Sequence, residues 1–136
     1  MSCVLRIGGK KLDPDALVRI LGLPIYRIDR KGEPRLPRSR GMYEACAIHL
    51  DVSNAAFADL QAQVADAIAF LATNAGPLGA ATRFSGVDYA TLDFAVERAD
   101  VAIDSKQLPP DLLRRAGALE IGIELSIYPP GGGDAA

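Results

Sequence analysis

From Cys3 to Ile7, apolar Cys3, Leu5 and Ile7 alternate with Val4 and Arg6, the two-residue period of a strand with one buried face. Gly8-Gly9 closes that run. Asp13 stands as an N-cap before Pro14, and Gly22 followed by Pro24 supplies a stop, so the spacing predicts a helix over 14–21 with Leu17, Ile20 and Leu21 as its buried stripe. Ile25 to Ile28 reads as a short strand, followed by a polar loop carrying Gly32, Pro34, Pro37 and Gly41. From Met42 to Leu50 the even positions are apolar apart from Glu44, which predicts another strand.

Ser53 is a candidate cap for a second helix. In it Phe57, Leu60, Val64, Ile68 and Leu71 recur at spacings of three and four, and Gly76-Pro77 is the expected end. Leu92, Phe94 and Val96 alternate with polar neighbours as a strand, and Val101 and Ile103 suggest a short return strand. Pro109-Pro110-Asp111 opens a helix through about Ala116 with Gly117 as its stop. Leu119 to Ile127 then alternates with Glu120, Gly122, Glu124 and Ser126 until Pro129-Pro130. The tail from Gly131 to Ala136 is expected to be disordered.

The predicted order is β-α-β-β-α-β, a further short β, then α-β, and the first six elements resemble a split βαβ unit. Strands that alternate this clearly need cover on one face only. The expected fold is therefore an α+β two-layer sandwich, a single domain over 1–130, with a largely antiparallel sheet of about five strands and helices packed on one face. Arg6, Tyr43, His49, Asp93, Glu97, Glu120 and Glu124 would occupy the open face.

Composition narrows the class. The chain has 136 residues, 49% hydrophobic and 24% charged, enough for one sizeable core and far from the composition of a disordered chain. No apolar run reaches the roughly 20 residues that span a bilayer, and Met-Ser-Cys-Val-Leu-Arg has no secretory pattern, so a cytoplasmic protein with no membrane association is expected. Cys3 and Cys46 fall at apolar strand positions and read as core residues. No metal or cofactor is implied, because one His and two dispersed cysteines do not make a zinc ligand set.

Charge changes the picture more. Ten of the fifteen Lys and Arg but four of the seventeen acids lie in residues 1–40, giving that stretch +6 and the remainder −8. The density peaks between Arg27 and Arg40, six bases against two acids, in the predicted loop. Arg offers planar, permanently charged donors suited to carboxylate or phosphate. Arg27, Arg30, Lys31, Glu33, Arg35, Arg38 and Arg40, with Tyr43, are therefore the candidate ligand or partner residues. The alternatives are a solvated loop or pairing with the chain's own acids.

Other constellations are weaker. Gly8-Gly9-Lys10-Lys11 lies between strand and helix but lacks the spaced second Gly-Lys of a phosphate loop, and Asp13 and Asp15 already occupy that helix terminus. His49, the single histidine, neighbours Asp51 and would serve as a general base beneath a cleft. Asp93, Glu97, Glu120 and Glu124 would gather as carboxylates on the sheet face, as a solvated face also requires. Small Ala45, Ala47, Ala95 and Gly122 on that face suggest a homodimer packed sheet to sheet or edge to edge.

The punctuation carries a resemblance: Gly9, Leu12-Asp13-Pro14, Leu21-Gly22-Leu23-Pro24, Arg30-Lys31-Gly32-Glu33-Pro34, Leu108-Pro109-Pro110-Asp111-Leu112-Leu113, and the final alternating strand ending Ile127-Tyr128. In this order, over nearly the whole chain, it resembles a bacterial family known as domain of unknown function 4279. Tyr43 stands where that family places an aromatic, often Trp. The resemblance implies no activity. The favoured reading is a non-catalytic binding module that presents the loop 27–40 to an acidic protein or a small anionic ligand. An enzyme using His49 or the sheet-face carboxylates is the alternative, and a nucleic-acid binder, disfavoured by the acidic balance, is third.

Overall fold

Asp13 accepts a hydrogen bond from the Ala16 amide at 3.2 Å, and Gly22 closes the same helix in the left-handed conformation. Helix α1 accordingly runs Pro14–Leu21 between strands β1, Cys3–Gly9, and β2, Arg27–Asp29. Its core face is Pro14, Leu17 and Leu21 with Val18 beside them, the i, i+3, i+4, i+7 set. Ile20 falls off that stripe and is exposed, contrary to expectation. After β3, Cys46–Ser53, come α2, Leu60–Thr73, and α3, Ala75–Thr82, then β4, Tyr89–Glu97, α4, Pro110–Ala118, and β5, Gly122–Tyr128. The computed structural model describes residues 1–131; apart from Gly131, the tail expected to be disordered lies outside the described residues.

Several expected boundaries move: β2 is Arg27–Asp29 rather than 25–28, β3 begins at Cys46 rather than Met42, and β5 begins at Gly122 rather than Leu119. Ser53 ends β3 and hydrogen-bonds Asp66 at 2.6 Å, while Asp59 caps α2 by accepting from the Ala62 amide at 3.0 Å. Phe57 lies before the helix, its ring 5.2 Å from that of Tyr128. Gly76-Pro77 do not end a helix but fall in the first turn of α3, where proline's missing N–H interrupts no helical bond. The chain bends there by 84°. Val101 and Ile103 form no strand and are exposed, and Gly117 lies inside α4, the reversal coming at Glu120 with φ 58°.

The sheet order is β2-β3-β1-β4-β5. β1 pairs antiparallel with both β3 and β4, β2 pairs antiparallel with β3, and β5 joins β4 in parallel. Two split βαβ units thus interleave: β3 lies between β1 and β2, and β1 lies between β3 and β4. The crossover through α4 then adds β5 as an edge strand. The α+β sandwich and mostly antiparallel sheet are as expected; the parallel last pair is not readable from alternation, which looks the same in either direction.

In register, Cys3, Leu5 and Ile7 of β1, Cys46, Ile48 and Leu50 of β3, and Ala90, Leu92 and Phe94 of β4 share one face. They are buried with Leu17, Leu21, Val64, Ala67, Leu71, Leu78, Ala81, Leu112 and Ala116 from the helices. Burial of each large aliphatic or aromatic side chain contributes about 1.5–3 kcal/mol. Burial also pushes the Cys3 thiol pKa up, leaving a neutral core residue. At the far end of β1 a Cβ on Gly9 would stand 1.8 Å from the Gly86 carbonyl oxygen, so only glycine lets β1 abut the turn before β4. No single helix among the described residues is long and apolar enough to cross a membrane.

Candidate functional site

The basic loop is itself a narrow antiparallel hairpin. The Gly32 amide donates to the Tyr43 carbonyl at 2.9 Å, the Tyr43 amide to Glu33 at 3.0 Å and the Arg35 amide to Gly41 at 2.8 Å, with one 3₁₀ turn, Arg38–Arg40, at its tip. Gly32 and Gly41 take φ of 87° and 82° at its bends, a region closed to most side chains. This ladder fixes the loop against the sheet face that carries no helices. The expected open face is therefore partly roofed.

Under the roof lies a cavity of about 600 Å³. Arg27 and Asp29 of β2 form its floor with Ala47 and His49 of β3 and Arg6 of β1; Arg35, Arg40 and Tyr43 come from the loop, and Tyr26 and Tyr89 complete the wall. Tyr89 stands opposite Gly8 in the β1–β4 register, and a Cβ on Gly8 would come 2.5 Å from the tyrosine hydroxyl. The missing side chain gives that ring its place.

Asp29 organises the floor. Its carboxylate accepts two bonds from the Arg27 guanidinium, at 2.8 and 3.2 Å, and lies 2.8 Å from His49 Nε2. Burial opposes ionisation of Asp29, but the hydrogen bonds and charges of Arg27 and His49 outweigh it and hold its pKa below the ordinary carboxylate value. Burial is also the main influence on His49. Asp29 favours its charged form, yet burial together with the charges of Arg27 and Arg6 leaves the imidazole pKa below its usual value. At neutral pH His49 is then the neutral tautomer donating Nε2–H to Asp29, with Nδ1 as acceptor. Its ring packs 5.9 Å from that of Tyr26.

His49 is buried, at 4% exposure, rather than half-exposed as its strand position implied, and its partner is Asp29, twenty residues away, not neighbouring Asp51. Of the loop candidates, Arg27, Arg35, Arg40 and Tyr43 line the cavity; Arg30, Lys31, Glu33 and Arg38 do not. Arg30 forms a two-bond pair with Asp15 of α1, both at 2.9 Å. Lys31 uses its backbone amide on Cys46 Sγ at 3.3 Å. Arg35 lies 5.5 Å from the centre of the Tyr43 ring. Beyond the loop set the lining includes Arg6, Tyr26, Asp29, His49, Tyr89 and a second carboxylate, Glu44, with Val4, Met42, Ala45 and Ala47 between them. The i, i+2 spacing of Arg27 and Asp29 on one strand was the available signal for their pairing, whereas the Asp29–His49 dyad spans twenty residues and has no local signal.

Asp29 and Glu44 line the cavity, whereas the carboxylates expected on the sheet face do not. Arg6 bonds Asp93 at 2.9 Å and pairs with Glu124, while Ser126 bonds Asp93 at 2.6 Å. Glu97 accepts from the Gly131 amide. Asp93 and Glu124 thus balance an arginine, and among the described residues no three His, Cys, Asp or Glu side chains are placed to hold a metal ion. A larger cavity of about 850 Å³ lies between α2 and residues 105–110, but Asp59 and Lys106 are its only charged lining groups. The cavity beneath the loop has the convergent chemistry: Arg35 and Arg40 have no ion-pair partner among the described residues, unlike Arg6 and Arg27 below them. Comparison with protein-family models, with curated proteins and with solved structures finds no match.

Proposed function

We propose that this protein is a non-catalytic binding module whose roofed cavity takes a small anionic ligand, a carboxylate or phosphate group entering between the loop arginines and the sheet. The observation that carries the reading is the arrangement of four arginines around one cavity, Arg6 and Arg27 each held to a carboxylate and Arg35 and Arg40 in the roof without an ion-pair partner among the described residues. The paired arginines keep the floor fixed, and Arg40, together with Arg35 held over the Tyr43 ring, offers guanidinium N–H groups to an incoming oxyanion. Tyr26, Tyr43 and Tyr89 supply apolar surface and hydroxyls for the body of such a ligand. Burial raises the pKa of Tyr26 and of Tyr89, in each case against the charge of Arg6, so both stay phenols at neutral pH. Affiliation with the domain of unknown function 4279 family, and a bacterial, cytoplasmic setting, belong to this proposal without adding an activity to it.

Titration calorimetry with inorganic phosphate, pyrophosphate and citrate tests the reading. Saturable binding to at least one, weakened about tenfold or more by Arg35→Ala with Arg40→Ala and left unchanged by Arg38→Ala, is the expected result. No binding to any of them, or equal loss from Arg38→Ala, overturns it.

The 2.8 Å His49–Asp29 contact favours a second reading, in which His49 Nδ1 acts as a general base. The lining contains no Ser, Thr or Cys nucleophile, so this enzyme would activate a water or a substrate proton. A ligand whose turnover stops in His49→Gln while its binding persists would select that reading over the first.

A further inference from the structure

We propose that the free edge of β5 pairs with the β5 edge of a second copy of this chain, antiparallel and centred on Leu125, so that two five-stranded sheets become one continuous sheet. β5 ends the sheet order, and among the described residues its outer ladder of N–H and C=O groups has no partner strand. Proteins blunt such edges with short strands, lysine, proline or bulges. β5 runs seven residues, Gly-Ile-Glu-Leu-Ser-Ile-Tyr, without lysine, proline or a bulge, and its one charged side chain, Glu124, is paired with Arg6. Leu125, Ile127 and Tyr128 are 38%, 66% and 41% exposed.

The occupant follows from the order of the side chains. An antiparallel pair centred on Leu125 sets Leu125 against itself, Ile123 against Ile127, Glu124 against Ser126 and Gly122 against Tyr128. Apolar residues then meet apolar ones on the helix side, the tyrosine ring lies over a glycine, and each glutamate faces a hydroxyl. Glu124 also brings its own counter-charge, Arg6 of the same chain. Centring the pair one residue earlier would put Glu124 opposite Glu124, and no other centre pairs all seven residues. The two-fold closes on itself and yields a dimer rather than a filament.

A seven-residue edge is smaller than a standard interface, so the dimer is weak, and its mass is followed by sedimentation equilibrium up to about 1 mM. The mass should rise from 14.4 kDa toward twice that value. Leu125→Lys and Leu125→Glu should each remain monomeric alone and regain the dimer when mixed. As a measurement that spares the fold, Leu125→Cys under mild oxidation should form at least about tenfold more linked dimer than Ile127→Cys, because only position 125 faces itself. The native Cys3 and Cys46 are buried. A mass fixed at 14.4 kDa throughout, or equal cross-linking at 125 and 127, overturns the proposal. Neither result bears on anion binding at the other end of the sheet.

Discussion

The two ends of this sheet handle their edges in opposite ways. At one end β2 is three residues long, is followed directly by the basic hairpin, and spends its side chains on a dense polar network: Arg27, Asp29 and His49. At the other end β5 is seven residues long, and its outer side is bare. A short edge hemmed by charge does not invite another strand, whereas a long apolar one does. The two edges differ in chemistry, yet Arg6 connects them: it lines the cavity beneath the loop and pairs with Glu124 of β5.

The sharpest way to break this contrast is to remove one carboxylate from each end. Asp29→Ala leaves a buried imidazole and a guanidinium without their acceptor and should cost about 3 kcal/mol by urea unfolding. Glu124→Ala removes a half-exposed partner of Arg6 and should cost less than about 1 kcal/mol. Equal losses would show that the β2 end is no more organised than the β5 end.

Acid should also reach the β2 end first. His49 has an ordinary value of 6.5 when unfolded and a lower one when folded, so as pH falls the unfolded chain binds its proton before the native one does. The stability present above pH 6.5 is lost progressively down to the depressed folded pKa, with a slope of up to about 1.4 kcal/mol per pH unit. Asp29, also depressed from 3.8, adds a second loss only below about pH 4. His49→Gln should remove the first phase and keep the second; a stability profile flat between pH 6.5 and 5 in the native chain would contradict the neutral buried imidazole.

Smaller still are two surface changes. Arg35→Ala with Arg40→Ala should leave stability within about 0.5 kcal/mol while weakening anion binding about tenfold. Ile127→Lys, at a position 66% exposed, should alter stability no more than that and keep the mass at that of a monomer. A loss of anion binding in Ile127→Lys would show that the β5 edge is coupled to the cavity.

What could be read from the sequence was what local chemistry decides. Asp13, Pro14 and Gly22 bound α1 at the residues expected, because cap, first-turn proline and left-handed stop act within one turn. The alternation in β1 and β4 placed the core face correctly for the same reason. The start of α2 was missed because Ser53 and Asp59 are both competent caps, and tertiary bonds, from Ser53 to Asp66 and from the Ser2 amide to the Ser53 carbonyl, keep the serine in the strand. Gly76-Pro77 was misread because a pair that can stop one helix can equally begin the next. The dyad depends on the β2–β3 register, which sets Arg27 opposite His49 and Asp29 opposite Ala47. A strand read as ending at Ile28 stops one residue short of the carboxylate that holds the site together.

The position of β1 sets an order of events during synthesis. Of the five strands β1 is made before the others and becomes the central one, and its two neighbours are residues 46–53 and 89–97. The basic segment therefore emerges long before the sheet that will carry it can close. Non-local pairing of this kind makes the last step of assembly wait for most of the chain. A nascent chain stalled before β4 has emerged should remain sensitive to protease along its whole exposed length, and one stalled well after β4 should acquire a resistant core in a single step.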